Sequence, residues 1–214
     1  MKEYHKIQSV FKRDEKTHKF ILGQYSLPEF EYLKENQWVW TEKIDGTNIR
    51  VDWNGKETIT YYGRTANAQM PTFLVTKLQS LFTNVFRINY LDKPMTLYGE
   101  GYGAKIQKGG NYIPDGVDFI LFDVLVDDWW LKREDVEDVA DKLNLKTVPI
   151  IGKGSLNQAE GILRAGLKSQ WGDFLAEGLV LKPEVELKAR SGHRIITKIK
   201  HKDYNARGEK LDAN

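Results

Sequence analysis

Apolar and polar positions alternate with period two through Trp38-Val39-Trp40 and again through Thr47-Asn48-Ile49-Arg50-Val51-Asp52-Trp53. This is the spacing of strands that bury one face. Asn54-Gly55 follows, a dipeptide that favours a two-residue type I′ turn, and Glu57 to Tyr62 resumes β-favouring residues. Residues 38–63 are therefore predicted as antiparallel sheet. Before it, Ser26-Leu27-Pro28-Glu29 predicts a helix start, with Ser26 as N-cap, a proline in the first turn and an acid at the capping-box position. That helix should end near Asn36. From Pro71 to about Ile88 the period lengthens, and Phe73, Leu74, Leu78, Leu81, Phe82, Val85 and Phe86 recur at helical spacing. Residues 95–98 and 119–126 read as buried strands. Leu131 to about Asn144 reads as a helix with Val136, Val139, Ala140 and Leu143 on one face, and a further helix is expected after Ser155. Strands are expected at about 176–182 and 193–200.

No repeat, low-complexity tract or Pro/Ser-rich linker divides the 214 residues. The simplest architecture is one α+β domain over 1–204, with mainly antiparallel sheets flanked by helices, and a short tail over 205–214. The absence of cysteine excludes disulfides, thiolate metal sites and cysteine nucleophiles, and fits a reducing cytoplasm. The charged N-terminus lacks the apolar run of a signal peptide, and no stretch is long enough to span a bilayer, so no membrane role is expected. The formal net charge of +2 is small, yet Lys182, Lys188, Arg190, Arg194, Lys198, Lys200, Lys202, Arg207 and Lys210 give the C-terminal end a local positive surplus. Charge alone leaves two readings open, a solvated basic face and a phosphate-binding surface.

The chemistry-bearing segment is Glu42-Lys43-Ile44-Asp45-Gly46-Thr47-Asn48, a lysine between acids at the junction of two predicted strands. Alone it reads equally as an exposed Asp-Gly turn. Four further segments follow it in order: Gly63-Arg64-Thr65, Leu97-Tyr98-Gly99-Glu100, Asp118-Phe119-Ile120-Leu121-Phe122-Asp123, and Ala176-Glu177-Gly178-Leu179-Val180-Leu181-Lys182-Pro183. Lys198-Ile199-Lys200 closes the series.

With these motifs the sequence resembles the covalent nucleotidyltransferases, which include DNA ligases, RNA ligases and mRNA-capping enzymes. Within that superfamily it is most similar to the bacteriophage nick-sealing RNA ligases and the RNA-editing ligases. The likeness runs from about Trp38 to Tyr204. Gly103 to Lys108 and His193-Arg194 also look like this branch, as does Asn48, where DNA ligases and capping enzymes usually carry arginine. The resemblance implies an adenylation domain of ATP-grasp-like α+β fold. It also implies an ATP-dependent RNA ligase that joins 5′-phosphate and 3′-hydroxyl ends through a lysyl-AMP intermediate and an adenylylated RNA 5′ end. ATP and Mg²⁺ or Mn²⁺ are the implied cofactors, and RNA ends, in nicked duplex or broken RNA, the implied partners. Only about a dozen residues follow Lys200-His201-Lys202, so no OB-fold or separate C-terminal domain is expected, which leaves room for an accessory strand-binding partner.

By the same resemblance Lys43 is the nucleophile. It must attack phosphorus as a neutral amine, and partial burial, Lys198, Lys200 and a metal ion would each disfavour its ammonium form. Lys198 and Lys200, two apart on a strand, share a face and suit phosphate, with Lys182 a third contact; an ordinary polar strand face is the plainer alternative. Glu177 is expected near metal and phosphates and Asp45 near lysine and metal, since Mg²⁺ prefers oxygen ligands while retaining waters. Glu100 is expected at the ribose hydroxyls, Glu42 and Ile44 at the nucleotide, and Asn48 and Arg64 at the AMP phosphate or RNA ends. Phe119 is the candidate to stack on adenine, with core packing as its rival. The four histidines show no metal-ligand spacing, and the glycines of 101–110 form no Walker pattern. Trp129-Trp130 fits aromatic packing at a strand end better than RNA stacking. A DNA ligase and a non-catalytic RNA-binding module that retains the fold are the rival readings.

Overall fold

The computed structural model describes residues 2–65, 67–83 and 93–204. The chain folds as two compact units that interleave in sequence, Met1–His5 with Ile44–Val148, and Lys6–Lys43 with Pro149–Asn214. Together they hold thirteen strands and four α-helices among the described residues. No linker composition marks the units because the chain passes from one to the other inside continuous motifs.

In the first unit, β5 (Thr47–Trp53), β6 (Ile59–Tyr62), β7 (Met95–Gly103), β8 (Val117–Val126), β9 (Trp129–Trp130) and β10 (Lys146–Thr147) form one sheet. Its order is β10-β8-β7-β5-β6, with β9 paired to β8. The alternation in β5 sends Ile49, Val51 and Trp53 into a core shared with Leu97, Leu121 and Val124. Leu74, Leu78 and Phe82 of α2 (Thr72–Phe82), with Val136, Val139 and Ala140 of α3 (Arg133–Lys142), complete that core. The helical spacing seen in the sequence thus selects the buried stripes correctly. Phe73 is the exception, 40% exposed. Val85, Phe86 and Ile88 lie outside the described residues.

The second unit holds a five-stranded sheet. Its members are β1 (Gln8–Ser9), β4 (Trp38–Lys43), β11 (Ile150–Gly154), β12 (Gly178–Pro183) and β13 (Thr197–Lys200), in the order β1-β13-β12-β4-β11. A separate pair, β2 (Phe11–Arg13) and β3 (Phe20–Tyr25), is antiparallel. Trp38 and Trp40 of β4, Leu179 and Leu181 of β12 and Ile199 of β13 enter one core with α1 (Pro28–Tyr32) and α4 (Leu156–Arg164) residues Phe30, Leu156, Ala159 and Leu163.

Two local expectations are corrected. Ser26 is not an N-cap: α1 begins after Leu27 without a side-chain cap, and the Ser26 hydroxyl instead donates to the Ser9 carbonyl at 2.5 Å. The competing backbone partner removed Ser26 from the helix. Asn54-Gly55 does not make a two-residue turn. Trp53 pairs with Ile59, and the five intervening residues wrap around Asn54, whose Oδ1 accepts from the amides of Lys56, Glu57 and Thr58. The side chain of Asn54 thus replaces the backbone as organiser of the turn.

The helix expected after Ser155 has the full reciprocal cap. Ser155 accepts from the Gln158 amide, and Gln158 accepts from the Ser155 amide at 2.9 Å. Ser155→Ala should therefore lower stability by about 1 kcal/mol in chemical denaturation. Ser26→Ala, which removes no cap, should leave α1 content by circular dichroism unchanged.

Candidate active site

The register of β4, β12 and β13 decides which side chains meet. Lys43 lies opposite Gly178, and Gly178 lies opposite Lys200; two residues along, Thr41, Val180 and Lys198 align in the same way. Alternation puts Lys43, Lys182, Lys198 and Lys200 on the face turned away from Trp38, Trp40, Leu179 and Ile199. Lys43 and Lys200 therefore flank a position that has no side chain. A Cβ at Gly178 would stand 2.0 Å from the Ile199 carbonyl oxygen, so the close strand approach requires glycine there.

Glu177 fills the space this leaves. One carboxylate oxygen accepts from Lys43 Nζ and the other from Lys200 Nζ at 2.6 Å. Its carbonyl also accepts from the His201 amide at 2.9 Å, which ties the end of β12 to the end of β13. The two lysine side chains and Glu177 are about four-fifths buried or more. The sequence sets positive neighbours around Lys43; the structure adds the Glu177 carboxylate between the amines. Lys182 and Lys198 are half-buried on the same face.

Glu42 points the other way. It follows Trp38 and Trp40 on the core face and is 1% exposed. Its carboxylate accepts from the Ser169 hydroxyl at 2.6 Å and from the Gln170 amide at 2.9 Å. Burial pushes its ionisation above the usual carboxylate range, and the Gln170 and Ser169 hydrogen bonds oppose that shift. Ser169 and Gln170 were not singled out in the sequence. The signal available is the Trp-x-Trp-x-Glu alternation, which predicts a buried carboxylate in need of donors but does not say where in the chain they lie.

The remaining sequence candidates belong to the first unit. Ile44 is buried. The Asp45 amide donates to the Tyr112 hydroxyl at 3.2 Å. A Cβ at Gly46 would come within 2.3 Å of the Gly101 carbonyl oxygen, so the turn after the lysine also packs directly on a neighbouring strand. Asn48 and Glu100 are opposite one another in the β5–β7 ladder, and both are half-buried. Next along the same face come Arg50, stacked 4.5 Å over Tyr62, and Tyr98, whose hydroxyl donates to the Lys2 carbonyl at 2.6 Å. Burial pushes the Tyr98 phenol up to about 12. Phe119 is 1% exposed and packs edge-on to Phe82, with Gly99 directly beneath its ring. It stands among core residues, on the face opposite Asn48 and Glu100. Arg64 is exposed just beyond β6. Trp130 packs on Tyr98 and Tyr4, whereas Trp129 is 77% exposed.

Among the described residues no cluster of three or more Asp, Glu, His or Cys side chains is arranged to hold a metal ion. The Glu177 carboxylate offers oxygen donors, the ligand type that suits Mg²⁺ or Mn²⁺ with water and phosphate oxygens completing the shell.

Residues 36–200 match the model of the RNA ligase family. No curated protein matches the chain in sequence. Among solved structures, Naegleria gruberi RNA ligase with PPi superposes with a TM-score of 0.65 at 25% identity, over 83% of this chain and 53% of that one. A variant of the same ligase with ATP and Mn gives 0.62 at 25% identity, over 82% and 54%. A further variant with AMP and Mn gives 0.66 at 21% identity, over 94% and 58%. The chain thus spans a little over half the length of these neighbours.

Two outcomes test the geometry. Gly178→Ala should cost at least about 1–3 kcal/mol, the range for overpacking, since the obstructing atoms are backbone; denaturant titration measures it. Glu42, whose ionisation is raised on folding, favours the folded state fully only below its unfolded value, and that contribution is lost as pH rises through the raised folded value. Wild-type stability minus that of Glu42→Gln should therefore fall as pH increases from about 4 to 7, in urea titrations across that range.

Proposed function

The chain belongs to the RNA ligase family, and on that premise we propose that it is an ATP-dependent RNA ligase in which Lys43 accepts AMP and passes it to an RNA 5′-phosphate. The observation that carries the reading is the convergence of Lys43 and Lys200 on Glu177. Structural neighbours solved with PPi, with ATP and Mn, and with AMP and Mn support ATP and a divalent cation as cofactors.

In the first step the Lys43 amine forms a bond to the α-phosphorus while the bond from that phosphorus to the pyrophosphate oxygen breaks. Such in-line displacement asks for positioning and charge neutralisation more than for proton transfer. Lys200 and Lys198 present ammonium groups for the phosphates on the face that carries the nucleophile. Glu177 binds both Lys43 and Lys200, so its hold on the nucleophile's ammonium is shared with a second cation. Glu177 is the carboxylate that would hold the divalent cation, and family resemblance gives Asp45 a metal role as well; when bound, the cation would supply further neutralisation of the phosphates. Asn48 and Glu100, paired across two strands, form a polar unit suited to ribose and phosphate oxygens.

RNA ends are the proposed partners, in nicked duplex or broken RNA. A cytoplasmic setting fits the cysteine-free composition.

Nucleotide-free protein incubated with ATP and Mg²⁺ should gain the mass of one AMP, and Lys43→Ala should gain none. Lys200→Ala should slow adduct formation by about 10²–10³-fold, the scale of losing one charge-stabilising donor. An unchanged intact mass for the wild type sinks the proposal. Sealing of nicked DNA to the exclusion of nicked RNA would transfer the chemistry to DNA.

A further inference from the structure

Residues 168–175 form a small hairpin, closed by the bridge between Lys168 and Leu175 and by the Ser169 amide donating to the Phe174 carbonyl at 2.8 Å. The Lys168 ammonium holds Asp173 across it at 2.6 Å. At its base Ser169 is 7% exposed, and its hydroxyl oxygen accepts from the Trp171 amide at 3.1 Å while donating to Glu42. Gln170 supplies the second donor to the same carboxylate through its amide. Two residues beyond Leu175 the chain delivers Glu177 to Lys43. One short segment therefore grips the end of β4 from both faces, through Glu42 on the core face and Lys43 on the other.

We propose that Ser169 is a positioning residue for the reaction of Lys43, acting through Glu42. Its hydroxyl and the adjacent Gln170 amide fix the carboxylate that immediately precedes the nucleophile, and so fix the rotation with which β4 presents the lysine amine. The inference rests on the ligase reading above.

Three features carry it. Lys43 is the last residue of β4, and its ladder partner Gly178 is the first of β12, so the nucleophile stands where the sheet pairing stops. On the other side of β4 the Glu42 amide bonds to the Pro149 carbonyl at 3.0 Å, one residue before β11 begins. A strand end held on both edges can still rotate about its own axis, and side chains at adjacent positions point to opposite faces, so restraining Glu42 restrains Lys43. Finally, Trp38 and Trp40 show what this core face accepts for stability alone. A buried carboxylate is a poorer choice there than an apolar residue unless it holds a direction, which two fixed donors allow.

The test compares adduct formation with strand sealing. Single-turnover AMP-adduct rates are measured for wild type, Ser169→Ala and Ser169→Thr, together with sealing of an RNA strand that already carries 5′-AMP. The second reaction does not use Lys43 as nucleophile. Ser169→Ala should slow adduct formation by between about tenfold and 10²-fold, the scale of a small misplacement of a reacting group, with KM for ATP within about twofold because the group lost acts on orientation rather than on ATP affinity. Ser169→Thr should restore most of the rate. Sealing of the pre-adenylylated strand should stay within about twofold for every variant, since orientation of Lys43 does not enter that step. Wild-type adduct rates in Ser169→Ala, or equal losses in both reactions, overturn the proposal. Ser169→Cys, of similar volume and weaker as a donor, gives the same comparison should the alanine variant not fold, and a wild-type adduct rate there is equally fatal. Absence of any adduct in the wild type defeats the ligase reading instead, and the inference falls with it.

Discussion

The carboxylate of Glu177 accepts from Lys43 on one side and Lys200 on the other, across a glycine, and the whole constellation depends on strand register to a single residue. A one-residue slip of β12 would move Gly178 from between the lysines and turn Leu179 and Leu181 out of the core. The apolar face thus enforces the polar one. Leu179, Leu181, Ile199, Trp38 and Trp40 lock the register by burial, and the lysines inherit their alignment from it. The ion pairs are largely buried, so the cost of desolvating their charges offsets much of the attraction; their value lies in direction.

The same division of labour recurs in the first unit. In β5 the odd positions Ile49, Val51 and Trp53 build the core, and the even positions Asn48, Arg50 and Asp52 face away from it. Behind Asn48 and Glu100 stand Arg50 and Tyr98, and the hydroxyl of Tyr4 fixes Asp123 at 2.5 Å beside them. The half-buried pair is therefore backed by side chains that are themselves held by stacking and hydrogen bonds, the support that a precise binding group requires.

Most strands and helices were legible because their period and composition agree with their burial: β4, β5, β8, α3 and α4 stand within a few residues of the predicted spans. The misreadings at Ser26 and Asn54 share one cause. Both are short polar side chains that bind nearby backbone, and the partner they choose depends on chain that is distant or still to turn. At the site, the sequence offered the lysines and acids as an ordered series, and alternation alone puts Lys198 and Lys200 on one face. It did not contain the placement of Glu177 between the amines, which follows from the β4–β12–β13 register, nor the Ser169 hydroxyl on Glu42, a contact between residues 127 positions apart. For Phe119 the apolar run left base stacking and core packing open, and in the free protein its ring lies against Phe82 and Gly99. The division into two units was illegible for a different reason. One of their three boundaries runs between Lys43 and Ile44, within the most informative motif, where no change of composition could mark it.

The convergence of Lys43 and Lys200 on Glu177 bears on how this sheet face handles charge. Lysines on one sheet face repel one another, and without a counter-charge their flexible stems would carry the ammonium groups apart into water. Glu177 holds two of them to a single point, at an orientational cost met during folding rather than during binding. A polyphosphate brings more negative charge than one carboxylate and offers several oxygens, so on the proposed reading it would compete for Lys200 and Lys198 on favourable terms. On the proposed reading, Lys200 turning to phosphate would leave Glu177 with one of its two partners and better able to accept another cation. On the ligase reading proposed above, the carboxylate gathers the amines at the point where a substrate's anionic groups would take over its role.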